Sequence, residues 1–315
     1  MSHPSPIIRL KSISKRFGKT QALSEINLEI PEGLVFALLG ENGAGKSTMI
    51  RILTGFLDPD QGEAEVIGHS IKDSVLEIRQ GIGYVSDSPA LYDWMTVTEI
   101  GWFTSGFYDE AFLKQYKKLV TELDLPSDTK IKHLSKGQRS KVSLALATSH
   151  DPRLLILDEP TSGLDPMVRR QFLESMVDRT AAGNSVFLSS HHISEIERVA
   201  DWIGILHEGE LKLVKPLEEI HETTSIITVT LNNPNLPVPL PPGQILSESC
   251  YGKQRRWVIQ DCPREWTAQR APNENVTRIE VKQASLEDIF VAICDHPRPS
   301  NRVIEDSVEL PLQIL

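Results

Sequence analysis

One stretch decides the fold: Leu34-Val-Phe-Ala-Leu-Leu-Gly-Glu-Asn-Gly-Ala-Gly-Lys-Ser-Thr48. Its first six residues are apolar, which is typical of a buried strand in a parallel sheet. The next eight, up to Ser47, fit the spacing G-x-x-x-x-G-K-[ST], with its two fixed glycines at Gly40 and Gly45. Glycine lets backbone N–H groups approach phosphate oxygens closely, and the N-terminus of a following helix adds partial positive charge. The stretch therefore predicts a strand, a phosphate-binding loop and a helix, in that order.

The side chains of this loop suit a nucleotide that carries Mg²⁺. Lys46 would neutralise the β- and γ-phosphates, and the Ser47 hydroxyl would coordinate the metal ion. A chance match in a glycine-rich turn is the alternative, but the strand before the motif and the helix after it favour a phosphate loop. The nucleotide-binding residues predicted in the loop are Gly40, Glu41, Asn42, Gly43, Ala44, Gly45, Lys46, Ser47 and Thr48.

A second apolar strand ends in two carboxylates, in the sequence Leu154-Leu-Ile-Leu-Asp-Glu-Pro160. Asp158, at the end of the strand, could reach Mg²⁺ beside the phosphate loop. Glu159 would then lie next to the γ-phosphate, where it could act as general base on an attacking water. Two adjacent carboxylates at a strand end could equally form a solvated turn, so the pair alone does not decide between these interpretations.

Four further segments supply polar or aromatic groups in a fixed order. Leu134-Ser-Lys-Gly-Gln138 precedes a predicted helix, Ser162-Gly-Leu-Asp165 follows the carboxylates, and Ser190-His191 ends the next apolar strand. Phe17 lies in an early strand and could stack on a nucleobase. Each segment alone has an ordinary explanation, as a helix cap, a turn, a polar strand end or a core aromatic. Their combination is hard to explain by chance.

Together these motifs resemble the nucleotide-binding subunits of ATP-binding cassette (ABC) transporters, over about residues 7–220. The resemblance implies ATP and Mg²⁺ as cofactors, with Ser47, Asp158 and Asp87 as metal contacts. It also implies that Glu159 and His191 act in catalysis, His191 as a switch histidine. The other nucleotide contacts that it implies are the adenine-stacking Phe17, Asp87, the signature residues Ser135, Gly137 and Gln138, and Asp165 in a dimer-contact loop.

Two positions depart from the family pattern. Asp87, in Gly83-Tyr-Val-Ser-Asp87, lies where the family usually has glutamine or sometimes glutamate, and its shorter side chain reaches less far. Lys136 replaces the first of the two usual signature glycines, whereas Ser135 and Gly137 keep the phosphate-facing part of the motif. Neither departure touches the residues assigned to catalysis, so ATP hydrolysis is expected.

The composition is that of a globular chain of about two domains. The 315 residues include 33 Lys and Arg against 43 Asp and Glu, which gives a formal net charge of −10, and 40% are hydrophobic. We predict an α/β fold. It comprises a P-loop NTPase cassette over residues 1–220, with a mostly parallel sheet and a helical lobe at about 90–150. A small C-terminal α+β accessory domain over 221–293 and a weakly ordered tail over 294–315 follow.

Several classes of protein are disfavoured by the sequence. No apolar stretch approaches the ~20 residues of a membrane-spanning helix, and the N-terminus lacks the apolar region of a secretory signal. Three cysteines without metal-type spacing argue against a disulfide framework or a zinc site. The acidic balance disfavours nucleic acid as a partner. The resemblance instead implies transmembrane permease subunits and a second cassette subunit, in a homodimer or a heterodimer, at the cytoplasmic face of the cell membrane.

The predicted permease contact is the segment Ser88–Val97. In it, Leu91, Tyr92, Trp94 and Met95 would form an exposed apolar groove for a partner helix. The alternative is that these side chains simply pack the helical lobe.

The end of the chain bears on the direction of transport. Ala284-Ser-Leu-Glu-Asp-Ile-Phe290 resembles the ending of cassette subunits in bacterial exporters of drugs, lipids, polysaccharides or antibiotics, so we expect the chain to drive export. One alternative is a soluble ABC ATPase that acts on the ribosome or on DNA, although such proteins usually carry two cassettes, a long coiled coil or a zinc-bearing insertion. Another is a nucleotide-sensing regulatory subunit with little hydrolysis.

Overall fold

The computed structural model describes residues 6–162, 164–236, 238, 240–263 and 275–295. These residues divide into two compact units, the first ending at Ile220 and the second beginning at His221. Most of the predicted tail, residues 296–315, lies outside the described residues. The strands are β1 (Ile8–Phe17), β2 (Thr20–Ile30), β3 (Val35–Leu39), β4 (Gln61–Val66), β5 (His69–Ser70), β6 (Ile82–Val85), β7 (Leu154–Asp158), β8 (Ser185–Ser190), β9 (Trp202–His207), β10 (Glu210–Pro216), β11 (Thr224–Leu231), β12 (Gln244–Tyr251), β13 (Gln254–Gln260) and β14 (Val276–Gln283). The helices are α1 (Lys46–Leu53), α2 (Val75–Gly81), α3 (Val97–Ser105), α4 (Glu110–Glu122), α5 (Lys136–Thr148), α6 (Pro166–Ala181), α7 (Ile193–Ile196), α8 (Leu217–Thr223) and α9 (Leu286–Cys294).

The first unit is built on a six-stranded sheet in the order β10-β9-β3-β8-β7-β6. β10 runs antiparallel to β9, and the other neighbours are parallel. β3, β7 and β8 are buried along their whole length, which explains their continuous apolar sequences. The predicted α/β class with a mostly parallel sheet is confirmed. Because β3, β7 and β8 are parallel, the loops that follow them meet at one edge of the sheet.

A second sheet in this unit has the order β2-β1-β4-β5 and is antiparallel. Its apolar side chains share one core with α1 and the large sheet, including Ile8, Leu23, Ile50 and Phe187. Apolar burial of this kind stabilises a fold by about 25 cal/mol for each Å² of apolar surface removed from water. The shared core therefore fixes the β1–β2 hairpin beside the start of α1.

A helical lobe follows β6 in the chain and contains α3, α4 and α5. Its core includes Phe112, Tyr116 and Val142. A Cβ on Gly101 of α3 would lie 2.0 Å from the Tyr116 ring, so a glycine is required for this close packing of α3 against α4. Met95 is only 6% exposed and belongs to the same core. The prediction that Met95 is an exposed groove residue is therefore wrong, because the helices of the lobe close over it.

The second unit is a four-stranded antiparallel sheet in the order β12-β13-β11-β14, with α9 packed on β12 and β13. Ile227, Trp257 and Ile259 are buried on this sheet. α9 begins with a capping box, in which the Ser285 side chain and the Asp288 side chain each accept from the other residue's backbone N–H. In the part of the chain that the structure describes, no helix has both the length and the apolar character needed to cross a membrane.

Candidate functional site

The loop between β3 and α1 is shaped by its glycines. Gly45 has a φ of +110°, and a Cβ there would lie 2.5 Å from the carbonyl oxygen of Ala22, so a larger residue does not fit. No side chain caps α1, and its first turn contains no acidic residue. The first N–H groups of a helix lack intrahelical partners, so here they can bind an anion. The loop thus has the backbone geometry of a phosphate site.

Lys46, the first residue of α1, is the buried cation of the site. Its side chain is 6% exposed, and Nζ donates a hydrogen bond of 2.6 Å to the carbonyl oxygen of Gly40. The same Nζ lies 3.2 Å from Oε1 of Glu159. A buried ammonium requires such partners because the loss of hydration is costly. These contacts hold the charge between the phosphate loop and the residue that follows β7.

Glu159 also contacts the histidine that follows β8. Its Oε2 lies 2.8 Å from Nδ1 of His191, so the carboxylate is held from two sides, by Lys46 and by His191. Glu159 has a φ of +49°, a backbone conformation that is uncommon for residues other than glycine and that clusters at functional sites. The ring centroid of His192 lies 4.0 Å from that of His191. The predicted catalytic pair is therefore in direct contact.

Asp158 lies at the end of β7 and is 8% exposed. Its Oδ1 accepts a hydrogen bond of 2.7 Å from the hydroxyl of Ser189 on β8. Burial, and then the negative charge of Asp158, raise the pKa of Tyr84 above its usual value, so the phenol stays neutral. Ser189 was not predicted from the sequence, because its position opposite Asp158 depends on the register of β7 against β8.

Lys46, Asp158 and Glu159 line a cleft of 350 Å³, which we call the phosphate cleft, and His191 is not among its lining residues. It brings most of the predicted loop together with both carboxylates, and Asp87 reaches it despite its short side chain. The lining residues are Thr20, Gln21, Ala22, Glu41, Asn42, Gly43, Gly45, Lys46, Ser47, Thr48, Asp87, Asp158 and Glu159. Of the predicted loop, Gly40 and Ala44 lie outside this lining.

The β1–β2 hairpin adds residues that were not predicted. Thr20, Gln21 and Ala22 line the phosphate cleft, and the one signal that could have indicated them is that they follow Phe17 closely in the chain. Phe17 itself does not line the cleft and is 49% exposed at the end of β1. The ammonium of Lys15 lies 5.7 Å from its ring centroid. The aromatic face is thus accessible near the cleft but has a cation beside it.

The oxygen donors of the phosphate cleft fit Mg²⁺ only in part. Ser47, Asp87 and Asp158 present one hydroxyl and two carboxylates, which are the ligand types that Mg²⁺ prefers. No cluster of three or more His, Cys, Asp or Glu side chains able to hold a metal occurs among the described residues. Mg²⁺ commonly uses one or two carboxylates together with water and substrate phosphates. The donor set therefore suits a metal ion that arrives with a nucleotide.

The other predicted contacts form a separate surface, which we call the signature surface and define as Ser135, Gly137, Gln138 and Asp165. Ser135 caps α5 in a capping box with Gln138, and Asp165 caps α6 by accepting from two backbone N–H groups. Leu164, the neighbour of Asp165, comes within 3.8 Å of a Cβ built on Gly137. None of these residues lines the phosphate cleft. Most of the predicted site residues therefore fall into two groups, and Phe17 belongs to neither.

Comparisons with known proteins agree with this geometry. Residues 23–162 match the family described as ABC transporter. The chain is 31% identical to the bacitracin transport ATP-binding protein BcrA of Enterococcus faecalis, over 69% of this chain and 71% of that protein. It is 34% identical to BcrA of Bacillus licheniformis, over 69% of this chain and 70% of that protein. Other relatives are covered less: the match spans 62% of an uncharacterized ABC transporter ATP-binding protein of Nostoc sp. and 8% of ATP-binding cassette sub-family A member 2 of Rattus norvegicus.

Solved structures show the same likeness. One, described as an ATP-binding subunit of an ABC transporter, is 31% identical with a TM-score of 0.64, over 69% of this chain and 92% of that one. Another, a dimeric ATP-binding cassette in a post-hydrolysis state bound to ADP and Pi, is 25% identical with a TM-score of 0.62, over 67% of this chain and 98% of that one. The family predicted from the motifs is thereby confirmed. The chain belongs to the ATP-binding cassette transporter family and contains its nucleotide-binding cassette.

Proposed function

We propose that the chain is an ATPase subunit that drives export through separate membrane subunits. The observation that carries the proposal is the phosphate cleft, where Lys46 joins the phosphate loop to Glu159 and His191 contacts the same carboxylate. The reaction is the hydrolysis of ATP to ADP and phosphate. Mg²⁺ held by Ser47 and Asp158, with Asp87 nearby, would neutralise charge on the phosphates.

Binding comes first in this mechanism. The N–H groups at the start of α1 and the ammonium of Lys46 would receive the phosphates. Lys46 lies within reach of both the loop carbonyl and Glu159, so a phosphate oxygen would compete with Glu159 for the ammonium. Phe17 would stack on the adenine ring, which an accessible aromatic face allows.

Glu159 is the proposed general base. Glu159 lines the phosphate cleft, where its carboxylate would polarise the attacking water and accept its proton. His191 lies 2.8 Å from Oε2 of Glu159, so it would fix the orientation of that carboxylate and respond to the γ-phosphate. Ser189 and Asp158 belong to the same hydrogen-bonded group.

The signature surface is proposed to act on the nucleotide of a second cassette. In a head-to-tail dimer, Ser135 and Gly137 of one subunit would face the phosphate cleft of the other. ATP would then favour the closed dimer, because its γ-phosphate contacts both subunits, and the products would favour opening. That difference in affinity is the free energy available for transport. Asp165 would contribute to the same dimer contact.

The proposed permease contact is an exposed aromatic surface at the start of the helical lobe. Tyr92 and Trp94 are 49% and 64% exposed, and the Tyr92 ring contacts Phe103, which in turn contacts Phe107. Exposed apolar patches of this kind commonly mark interaction sites. A membrane partner here would place the chain at the cytoplasmic face of the membrane. Nucleic acid is not a proposed partner.

Trp94→Ala tests this surface. We expect a large loss of co-purification with the membrane subunit in mild detergent, because buried tryptophans often dominate interface energies. Tyr251→Ala is the matched control, since Tyr251 is 66% exposed but lies in the second unit on β12. Equal recovery of the membrane subunit with both variants would show that the surface is misassigned.

The proposed direction, export, rests on the resemblance of residues 284–290 to exporter subunits, and the names of the relatives bear on the cargo. The BcrA proteins are described as bacitracin transport ATP-binding proteins, and a 36% identical relative in Escherichia coli is described as a probable multidrug ABC transporter ATP-binding protein. For this chain, transport of an antibiotic- or drug-like cargo is an inference from those names and from residues 284–290. The ribosome- or DNA-directed ATPase and the nucleotide sensor have no comparable support.

Steady-state phosphate release tests the ATPase. The purified chain is expected to hydrolyse ATP in a saturable, Mg²⁺-dependent manner, and Lys46→Ala is expected to lose both ATP binding and turnover. Lys118→Ala, at a lysine whose side chain is 63% exposed on α4, is expected to behave like the wild type. Binding of ATP without turnover would favour the nucleotide sensor, and no binding of ATP would contradict the proposed function.

A further inference from the structure

Ser189 contacts the Asp158 carboxylate and the Glu159 backbone but is assigned no task by any motif. It is fully buried on β8. Its hydroxyl donates to Oδ1 of Asp158 at 2.7 Å and accepts from the backbone N–H of Glu159 at 3.1 Å. The same N–H also lies 3.2 Å from the carbonyl oxygen of Ser189. One buried hydroxyl therefore bonds to both residues at the end of β7.

These bonds constrain the Asp158 side chain and the Glu159 backbone. The bond to Oδ1 restrains the rotation of the Asp158 carboxylate, at a residue that lines the phosphate cleft. The bonds to the Glu159 N–H hold the backbone at the point where φ is +49°, a conformation that persists only when its surroundings enforce it. A serine hydroxyl has one proton to donate and lone pairs to accept with, which matches this pattern.

We propose that Ser189 is a positioning residue that orients Asp158 toward Mg²⁺ and holds Glu159 in register for its role as general base. The proposal rests on the proposed ATPase function. Partners that orient a metal-binding carboxylate commonly affect metal affinity or activity by about 10- to 100-fold. The role requires the β7–β8 register, in which Ser189 is paired with Asp158.

Ser189→Ala removes the hydroxyl while keeping a small residue in the strand. We expect the apparent Mg²⁺ affinity in ATP binding to fall by about tenfold and kcat to fall by a similar factor. ATP binding in EDTA should stay at the wild-type level, because the phosphate loop and Lys46 are untouched. Ser189→Thr keeps the hydroxyl and is expected to restore most of the Mg²⁺ affinity.

Ser185→Ala is the matched control. Ser185 lies at the other end of β8, is 1% exposed, and its hydroxyl accepts one bond of 2.8 Å from the N–H of Gly33. It should lower Tm without changing the Mg²⁺ dependence. If Ser189→Ala changes Tm alone, as Ser185→Ala does, the positioning role is wrong. If the wild type binds ATP without any Mg²⁺ dependence, the positioning role is wrong, whereas the proposed function fails only if the wild type does not bind or does not hydrolyse ATP.

Discussion

The phosphate cleft and the signature surface differ in how their polar groups are satisfied. In the cleft, Lys46 is almost fully buried and is paired with Glu159 across two elements, and α1 begins without a side-chain cap. On the signature surface, Ser135 and Asp165 satisfy the first N–H groups of their own helices. In the cleft, the N–H groups at the start of α1 are left free of side-chain caps and can bind an anion. On the signature surface, side chains of the same chain already cap the helices. One chain therefore presents two different halves of the proposed site.

The largest expected effect comes from breaking the cleft at Glu159. Glu159→Gln keeps the size of the side chain but removes the general base, so we expect kcat to fall by about 10²- to 10⁴-fold. ATP binding should persist or tighten, because Lys46 loses the carboxylate that competes with the phosphate. Steady-state phosphate release and size-exclusion chromatography with ATP measure the two effects. Turnover at the wild-type rate, without an ATP-dependent dimer, would remove Glu159 from the mechanism.

A change on the signature surface should separate binding from turnover. Gly137→Asp has room, since the nearest atom to a new Cβ is 3.8 Å away, and an acidic residue in the first turn favours the helix. Its charge would repel the nucleotide of the partner subunit, so we expect hydrolysis to fall on the order of a hundredfold. ATP affinity of the single chain should be unchanged.

Ala111→Asp is the control for this change. Ala111 is an exposed residue at the second position of α4, the same helical position that Gly137 occupies in α5. The control should retain wild-type turnover. If the two variants hydrolyse ATP equally well, Gly137 does not face a nucleotide.

The smallest expected effect concerns His150, which connects the helical lobe to β6 of the large sheet. His150 lies just after α5, and its Nε2 is 3.0 Å from the carbonyl oxygen of Ile82, while its ring centroid lies 4.4 Å from that of Tyr108. Burial lowers the pKa of His150 below its usual value of 6.5. The neutral ring therefore contributes stability that is present above about pH 6.5 and is lost as the pH falls through the lowered pKa.

Thermal unfolding between pH 8 and pH 5 measures this effect. We expect Tm of the wild type to fall by a few degrees more than that of His150→Gln, which keeps a donor for the Ile82 carbonyl but does not titrate. If Tm depends on pH in the same way for the two proteins, the titration of His150 does not affect stability.

The strand, loop and helix around the predicted phosphate loop could be predicted because their sequence pattern is local. A helix was predicted directly after the loop, and α1 begins there at Lys46. Asp158 and Glu159 were found for the same reason, since the apolar strand and its two carboxylates are contiguous.

What the sequence could not supply depends on contacts between distant elements. Ser189 reaches Asp158 only through the register of β8 against β7, and Thr20 to Ala22 line the cleft only because the hairpin packs beside α1. Met95 was wrongly expected to be exposed because the apolar residues of its segment were interpreted as a surface groove. The residues that bury it come from helices later in the chain.

Mixing two inactive variants tests most directly whether the cleft of one subunit works with the signature surface of another. Lys46→Ala disables the cleft and Gly137→Asp disables the signature surface, so each protein alone should be inactive. In an equal mixture, random pairing makes half of the dimers mixed, and each mixed dimer keeps one intact composite site. We therefore expect about a quarter of the wild-type ATPase activity. A mixture no more active than the separate variants would contradict the proposed composite site.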